Sequence, residues 1–182
     1  MGKCTTLNMT ATDKENNDTN INSIVTLLND IRSKVKGDFM VSKPGLAIGS
    51  TPANVSNVAF DYQIGGVRYS KAAVAAGTAP GNDVIPEGTY GAVALDIDDT
   101  GTITVAEAAD NATGYASAAL AIAGIADVAE DKARMGTVTV VSSVGAGAFT
   151  FGTTSLAAAG MTASYTDGDT AFEAIGSAVT EV

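Results

Sequence analysis

The chain has 182 residues, of which 46% are hydrophobic and 16% charged, with 20 glycines and a formal net charge of −10. That length suffices for one main domain with a hydrophobic core and a smaller appendage. The sequence has no His and a single cysteine, Cys4, which excludes an internal disulfide or a cysteine-based zinc site and removes the commonest general base. We therefore expect a protein that is not an enzyme and needs no cofactor.

The negative charge is concentrated in the later part of the chain. Residues 1–36 hold five basic and four acidic side chains, a balance of +1, so the remaining residues carry −11. An acidic body repels phosphate backbones, and we expect no nucleic-acid partner. The sequence shows no signal-like apolar region at its start and no run of about 18 apolar residues, so we expect neither standard secretion nor a membrane span.

The first two segments are an arm and a helix. Residues 1–20 are polar and rich in Thr, Asn and Asp, which predicts a flexible arm. Residues 21–36 carry apolar side chains at spacings of 3, 4, 3 and 4, typical of heptad a and d positions: Ile21, Ile24, Leu28, Ile31 and Val35. Isoleucine at both a and d positions favours a coiled coil of three helices. We therefore expect these five side chains, called the seam below, to form the interface of a homotrimer. The alternative is an amphipathic helix packed on its own domain, because two heptads are short for a coiled coil.

A linker separates this helix from the body in the predicted plan. Residues 37–57 contain Pro44, Gly45, Gly49 and Pro52 with no sustained period, which predicts a linker or an extended arm. Residues 58–182 then form a β-rich body domain. We further expect residues 1–57 to contact a partner and the body to project away from it.

Two β-hairpins open the body. Phe60, Tyr62 and Ile64 alternate with polar residues before Gly65-Gly66, which supplies the positive φ angles of a tight turn. A second alternating pair of strands, around residues 93–97 and 103–105, is joined through residues 98–101.

The remaining body alternates between helical and strand patterns. Residues 112–133 have apolar side chains three or four apart and predict the one main helix. Strand patterns follow at residues 137–140, 149–151 and 161–165, and residues 170–179 show weak helical spacing. The predicted fold class is α+β, dominated by antiparallel hairpins.

One loop has the spacing of a calcium site. Oxygen-bearing side chains occupy positions 1, 3, 5, 9 and 12 of an EF-hand-like stretch: Asp96, Asp98, Thr100, Thr104 and Glu107. Position 5 is Thr, however, and no helix pattern precedes the loop. Since residues 98–101 are also good turn residues between alternating strands, we favour a hairpin turn without metal and keep calcium as the weaker alternative.

The hairpins carry a resemblance to a known class of protein. The stretches Phe60–Lys71, Val93–Val105 and Lys132–Val140, with the later Phe149–Leu156 and Gly160–Tyr165, resemble virion structural proteins of tailed bacteriophages, of the head decoration, cement or head-fibre type. The resemblance implies an oligomer that binds the major capsid protein on the outer surface of the assembled virion after synthesis in the host cytoplasm. A receptor-binding or adhesive tail-fibre module is the alternative function. Copy number separates the two, because decoration proteins are far more numerous per particle than fibres.

Overall fold

The computed structural model describes residue 15, residues 17–26 and residues 37–170. The chain divides into two units, residues 1–36 and residues 37–182. In the first unit, residues 17–26 form helix α1. Its polar residues are compatible with a helix because the hydroxyls of Thr19, Ser23 and Thr26 each donate to the carbonyl four residues earlier, at 2.8, 3.0 and 2.9 Å.

In residues 37–170, the described part of the second unit, the chain forms antiparallel strands of two to eleven residues and one short helix. Its strands are β1 Phe39–Met40, β2 Ala47–Ile48, β3 Val55–Asn57, β4 Phe60–Ile64, β5 Val67–Lys71, β6 Val74–Thr78, β7 Val84–Ile85, β8 Tyr90–Asp98, β9 Ile103–Glu107, β10 Lys132–Ser142, β11 Phe149–Thr150 and β12 Met161–Asp167. Helix α2 spans Ala118–Ala123. The described residues therefore form mostly antiparallel sheets with two helices, which confirms the α+β class.

The described residues form four sheets, and all the strand pairings in these sheets are antiparallel. The largest has the order β12-β10-β8-β9. Two three-stranded sheets have the orders β1-β4-β5 and β2-β3-β6, and β7 pairs with β11. Both predicted hairpins are present: β4 turns into β5 through Gly65 and Gly66, at φ 58° and 84°, and β8 pairs with β9.

Strand β8 is buried on both faces, which explains its nearly continuous apolar sequence. Val93, Leu95 and Ile97 point into the main core. Ala92 and Ala94 point to the other face, where a smaller cluster includes Ala121 of α2. The small alanine side chains let the helix lie close to the sheet.

Strand β10 reaches the main core along its whole length because of a bulge. The register with β8 shifts between Arg134 and Gly136. As a result, Ala133 before the bulge, Met135 in the bulge, and Val138 and Val140 after it all lie in the core, although their spacing changes phase. Other large buried core side chains come from several strands and loops: Met40, Tyr62, Ile85, Phe149 and Phe151.

The body begins earlier than the sequence predicted. Residues 37–57 contain β1, β2 and β3, which pair with β4, β3 and β6 respectively, and bury Met40, Leu46 and Val55. This segment is thus part of the body and not a linker. Strands of two or three residues are too short to produce an alternating pattern, and β1 and β3 find their partners about twenty residues later.

The main helix is shorter than predicted. Residues 112–133 were expected to be helical, but α2 has six residues, from the Ser117 cap, whose Oγ accepts from Leu120 N at 3.3 Å, to Gly124. On either side the backbone makes bridges, Tyr90 with Tyr115 and Ala108 with Ile125. These tertiary pairings outweigh the helix propensity of the alanine-rich sequence. No helix in the described part of the chain has the length and hydropathy of a membrane span.

Candidate functional site

Part of the predicted oligomer seam lies on α1. Ile21 and Ile24 are each 56% exposed, and Val25 beside them is 48% exposed. The other seam residues, Leu28, Ile31 and Val35, lie outside the described residues. Trimer formation is an expectation that these exposures neither confirm nor contradict.

The Asp98 side chain organises the turn of the β8–β9 hairpin. Its Oδ1 accepts from the Thr100 N–H at 2.9 Å, the Thr100 hydroxyl at 2.6 Å and the Thr102 N–H at 2.9 Å. The hydrogen bond from the Thr100 hydroxyl, helped by that from Thr102, lowers the pKa of Asp98. These three hydrogen bonds are of the kind that a hairpin turn uses.

Asp96 instead forms a largely buried ion pair on the α2 side of the sheet. The Arg134 Nε lies 3.0 Å from Asp96 Oδ1, and the two side chains are 27% and 7% exposed. Arg134 also donates to the carbonyl of Ala126 at 2.8 Å. The pair therefore connects β8, β10 and the segment that follows α2.

The last two residues of the candidate calcium set have separate partners. Thr104 Oγ1 accepts from Lys132 Nζ at 2.9 Å. Glu107 lies at the far end of β9, where Oε1 accepts from the backbone N–H groups of Asn82 and Asp83 at 2.8 and 3.3 Å. Within the described part of the chain, no group of three or more acidic, Cys or His side chains is placed to hold a metal ion. That the loop binds no calcium stays a prediction.

Three more carboxylates hold loops that sequence reasoning did not connect with them. Asp38 Oδ1 accepts from Gly65 N at 2.6 Å, and Asp167 Oδ1 accepts from Leu46 N at 2.8 Å. Glu87 accepts from the N–H groups of Gly145 and Gly147. No sequence signal marks these contacts, because the partners are 27 to 121 residues apart.

Asp38 and Asp167 also border an open cleft of about 380 Å³, which Asp169 and Arg134 line as well. Arg134 is already engaged by Asp96, and Asp38 and Asp167 by backbone donors. Asp38, Arg134 and Asp167 thus attach β1, β10 and the end of β12 to neighbouring segments.

An exposed ion pair stabilises the first hairpin. Arg68 Nη2 lies 2.6 Å from Asp61 Oδ2, and the Ser70 hydroxyl donates to Asp61 Oδ1 at 2.5 Å. The Ser70 hydrogen bond, followed by that of Arg68, lowers the pKa of Asp61. Asp61 lies directly opposite Ser70 in the β4–β5 ladder, and Arg68, opposite Gln63, is its diagonal neighbour, so both contacts are cross-strand contacts.

No protein-family model matches the chain, and no curated protein or solved structure is similar enough to count as a match.

Proposed function

We propose that this chain is a structural protein of a tailed-phage virion that binds the assembled capsid as a homotrimer and decorates or stabilises its outer surface. The observation that carries the proposal is the exposed apolar side of α1, Ile21, Ile24 and Val25, from which the heptad spacing continues to Val35. The resemblance of the hairpin sequences to head decoration and head-fibre proteins points the same way.

Burial of this apolar side on association would be favourable. Covering a large aliphatic side chain completely is worth roughly 1.5–3 kcal/mol, so covering the exposed half of Ile21 and of Ile24 contributes about 1 kcal/mol each per chain. Three chains bring this contribution together on one axis, and each further seam position adds to it.

The electrostatics of the body also fit a structural role. Asp96, Asp98, Glu87, Glu107 and Asp167 each accept from backbone N–H groups or from an arginine. The contact of Asp98 is local to its turn, and the other four join parts of the chain that are distant in sequence. A body fastened in this way is suited to display on a particle surface.

The proposed anchor is the near-neutral segment. Residues 37–57 belong to the body, so the segment that contacts the capsid in this proposal is residues 1–36, not residues 1–57 as first expected. Its net side-chain charge is +1, against −11 for the remaining chain. A near-neutral segment is suited to docking on a protein, whereas a strongly acidic body favours exposure to water.

An adhesive fibre module is the second candidate, and one loop favours it. Val144 is 86% exposed at a turn that Glu87 and Ser142 hold through Gly145 and Gly147. A rigid loop with an exposed apolar tip is typical of recognition sites.

Copy number in purified particles of the phage that encodes the chain tests the main proposal. Quantitative densitometry against the major capsid protein should give hundreds of copies per particle, whereas a handful would favour the fibre. Decorated particles stripped of the chain should rebind it. The variant Ile24→Asp with Ile31→Asp should rebind more weakly, because burying the seam would leave unpaired charges.

The matched control is Asn22→Asp with Asn29→Asp, which adds the same charge off the seam. Sedimentation should show a trimer for the original chain and for this control, and a smaller species for the seam variant. A seam variant that stays trimeric and rebinds like the control would contradict the role given to α1.

A further inference from the structure

Strand β12 is an outer strand without the usual protection against edge pairing. It lies at the end of its sheet and pairs with β10 over all seven residues, with no register shift. Its sequence, Met-Thr-Ala-Ser-Tyr-Thr-Asp, contains no Pro and no Lys. Natural edge strands are usually interrupted by such residues or by bulges, because their free N–H and C=O groups pair readily with another strand.

The backbone of β12 shows which groups face outward. Ser143 N donates to Gly160 O at 2.9 Å and Gly168 N to Met135 O at 2.6 Å, so the even-numbered residues of β12 bond to β10. Alternation in an antiparallel ladder then turns the N–H and C=O groups of Ala163 and Tyr165 away from β10. Within residues 37–170, no strand pairs with this outer side.

We propose that β12 pairs antiparallel with β12 of a second copy across a two-fold axis at Ser164, which joins two four-stranded sheets into one of eight strands. Outward-facing residues must oppose outward-facing residues, and the register with Ser164 opposite itself satisfies this over the full strand. Ala163 of each copy then exchanges two backbone hydrogen bonds with Tyr165 of the other, four in all.

The side chains are complementary in this register. On the core side, where Ala163 and Tyr165 pack partly buried against the main core, the small residue of one copy lies opposite the ring of the other. On the opposite face, the exposed Thr162 lies opposite Thr166, and both are uncharged. Asp167 lies three residues from the axis and faces the uncharged Met161 of the other copy in this register, so the two carboxylates are not opposite each other.

This contact does not involve α1, so an experiment can confirm or refute it independently of the proposed trimer. The test is disulfide formation in the full chain with Cys4→Ser as background. Ser164→Cys places two thiols opposite each other at a non-hydrogen-bonded pair, with Cα atoms about 4.5 Å apart, within disulfide range. A disulfide-linked dimer should form under mild oxidation and appear on a non-reducing gel.

Thr162→Cys is the matched control, exposed on the same face of the same strand. In the proposed register its two copies are about 13 Å apart, too far to bridge. It should crosslink at least about tenfold more slowly alone, yet crosslink readily when mixed with Thr166→Cys. Equal crosslinking rates for Ser164→Cys and Thr162→Cys, or no crosslink for Ser164→Cys, would overturn the pairing.

Charge variants give a second reading that needs no oxidation. Ser164→Lys alone and Ser164→Asp alone place like charges opposite each other and should abolish the two-fold contact, whereas a 1:1 mixture should restore it by pairing opposite charges. Sedimentation that showed no difference between the single variants and their mixture would count against a two-fold axis at this residue.

Discussion

Removal of the Asp96 carboxylate should destabilise the body by leaving Arg134 unpaired in a largely enclosed position. Breaking a fully buried ion pair costs about 3–5 kcal/mol. The Arg134 side chain is 27% exposed and keeps its bond to the Ala126 carbonyl, so we expect a smaller loss for Asp96→Ala, about 2–3 kcal/mol. For a chain of this length, that corresponds to a fall in Tm of roughly 5–10 °C.

The assay is urea unfolding followed by far-ultraviolet circular dichroism, because the sequence has no Trp. Asp99→Ala, at an exposed position of the adjacent turn, is the control and should change stability by no more than about 0.5 kcal/mol. The double variant Asp96→Ala with Arg134→Met should recover part of the loss, because no unpaired charge remains. A loss for Asp96→Ala no larger than that of the control would refute the role given to this ion pair.

Three further outcomes follow from the same contacts. Because the pKa of Asp98 is lowered, its carboxylate stabilises the fold above the ordinary pKa of 3.8. This contribution disappears as the pH falls through the folded-state pKa. The Tm of Asp98→Asn should therefore fall less than the Tm of the original chain between about pH 5 and pH 3. Millimolar calcium should leave the Tm of the original chain equal to that in chelator, and a rise of several degrees that Asp96→Ala abolishes would instead assign a calcium site to this loop. Gly136→Ala should lower stability more than a typical surface substitution, as judged by urea unfolding, since its Cβ would collide with the Thr166 carbonyl at a φ of 155°.

The hairpins were predictable because their signals are local. The short stretch around Gly65-Gly66 includes both the turn and the two alternating strands that flank it, and the same holds for the stretch around residues 98–101. When two strands are joined by a turn of a few residues, the strand alternation and the turn residues all lie within one short stretch of sequence.

The segments that were missed depend on distant partners. Residues 37–57 become strands only through β4 and β6, and Asp167 reaches Leu46 across 121 positions. The helix prediction for residues 112–133 failed for a related reason. Alanines that suit a helix equally suit close packing on β8, and Tyr115 and Ile125 are taken by bridges to other segments. Composition there specified small side chains but not the backbone conformation.

The proposed seam and the proposed edge pairing have a joint consequence for assembly. A three-fold contact through α1 and a two-fold contact through β12 cannot both be satisfied in three copies. They require at least six copies, either in a closed assembly, of which six copies is the smallest, or in an extended network. Six copies of an 18.1 kDa chain have a mass of ~109 kDa.

Mass measurement of single and combined variants separates the two contacts. Ser164→Lys should reduce the assembly to three copies, and Ile24→Asp with Ile31→Asp should reduce it to two. The combination of all three substitutions should give one copy, because each contact involves a different unit of the chain. A six-copy mass that survives Ser164→Lys would remove the two-fold contact from this scheme, and one that survives the seam variant would remove the three-fold contact. Each result leaves the other contact standing, since neither set of side chains contributes to both.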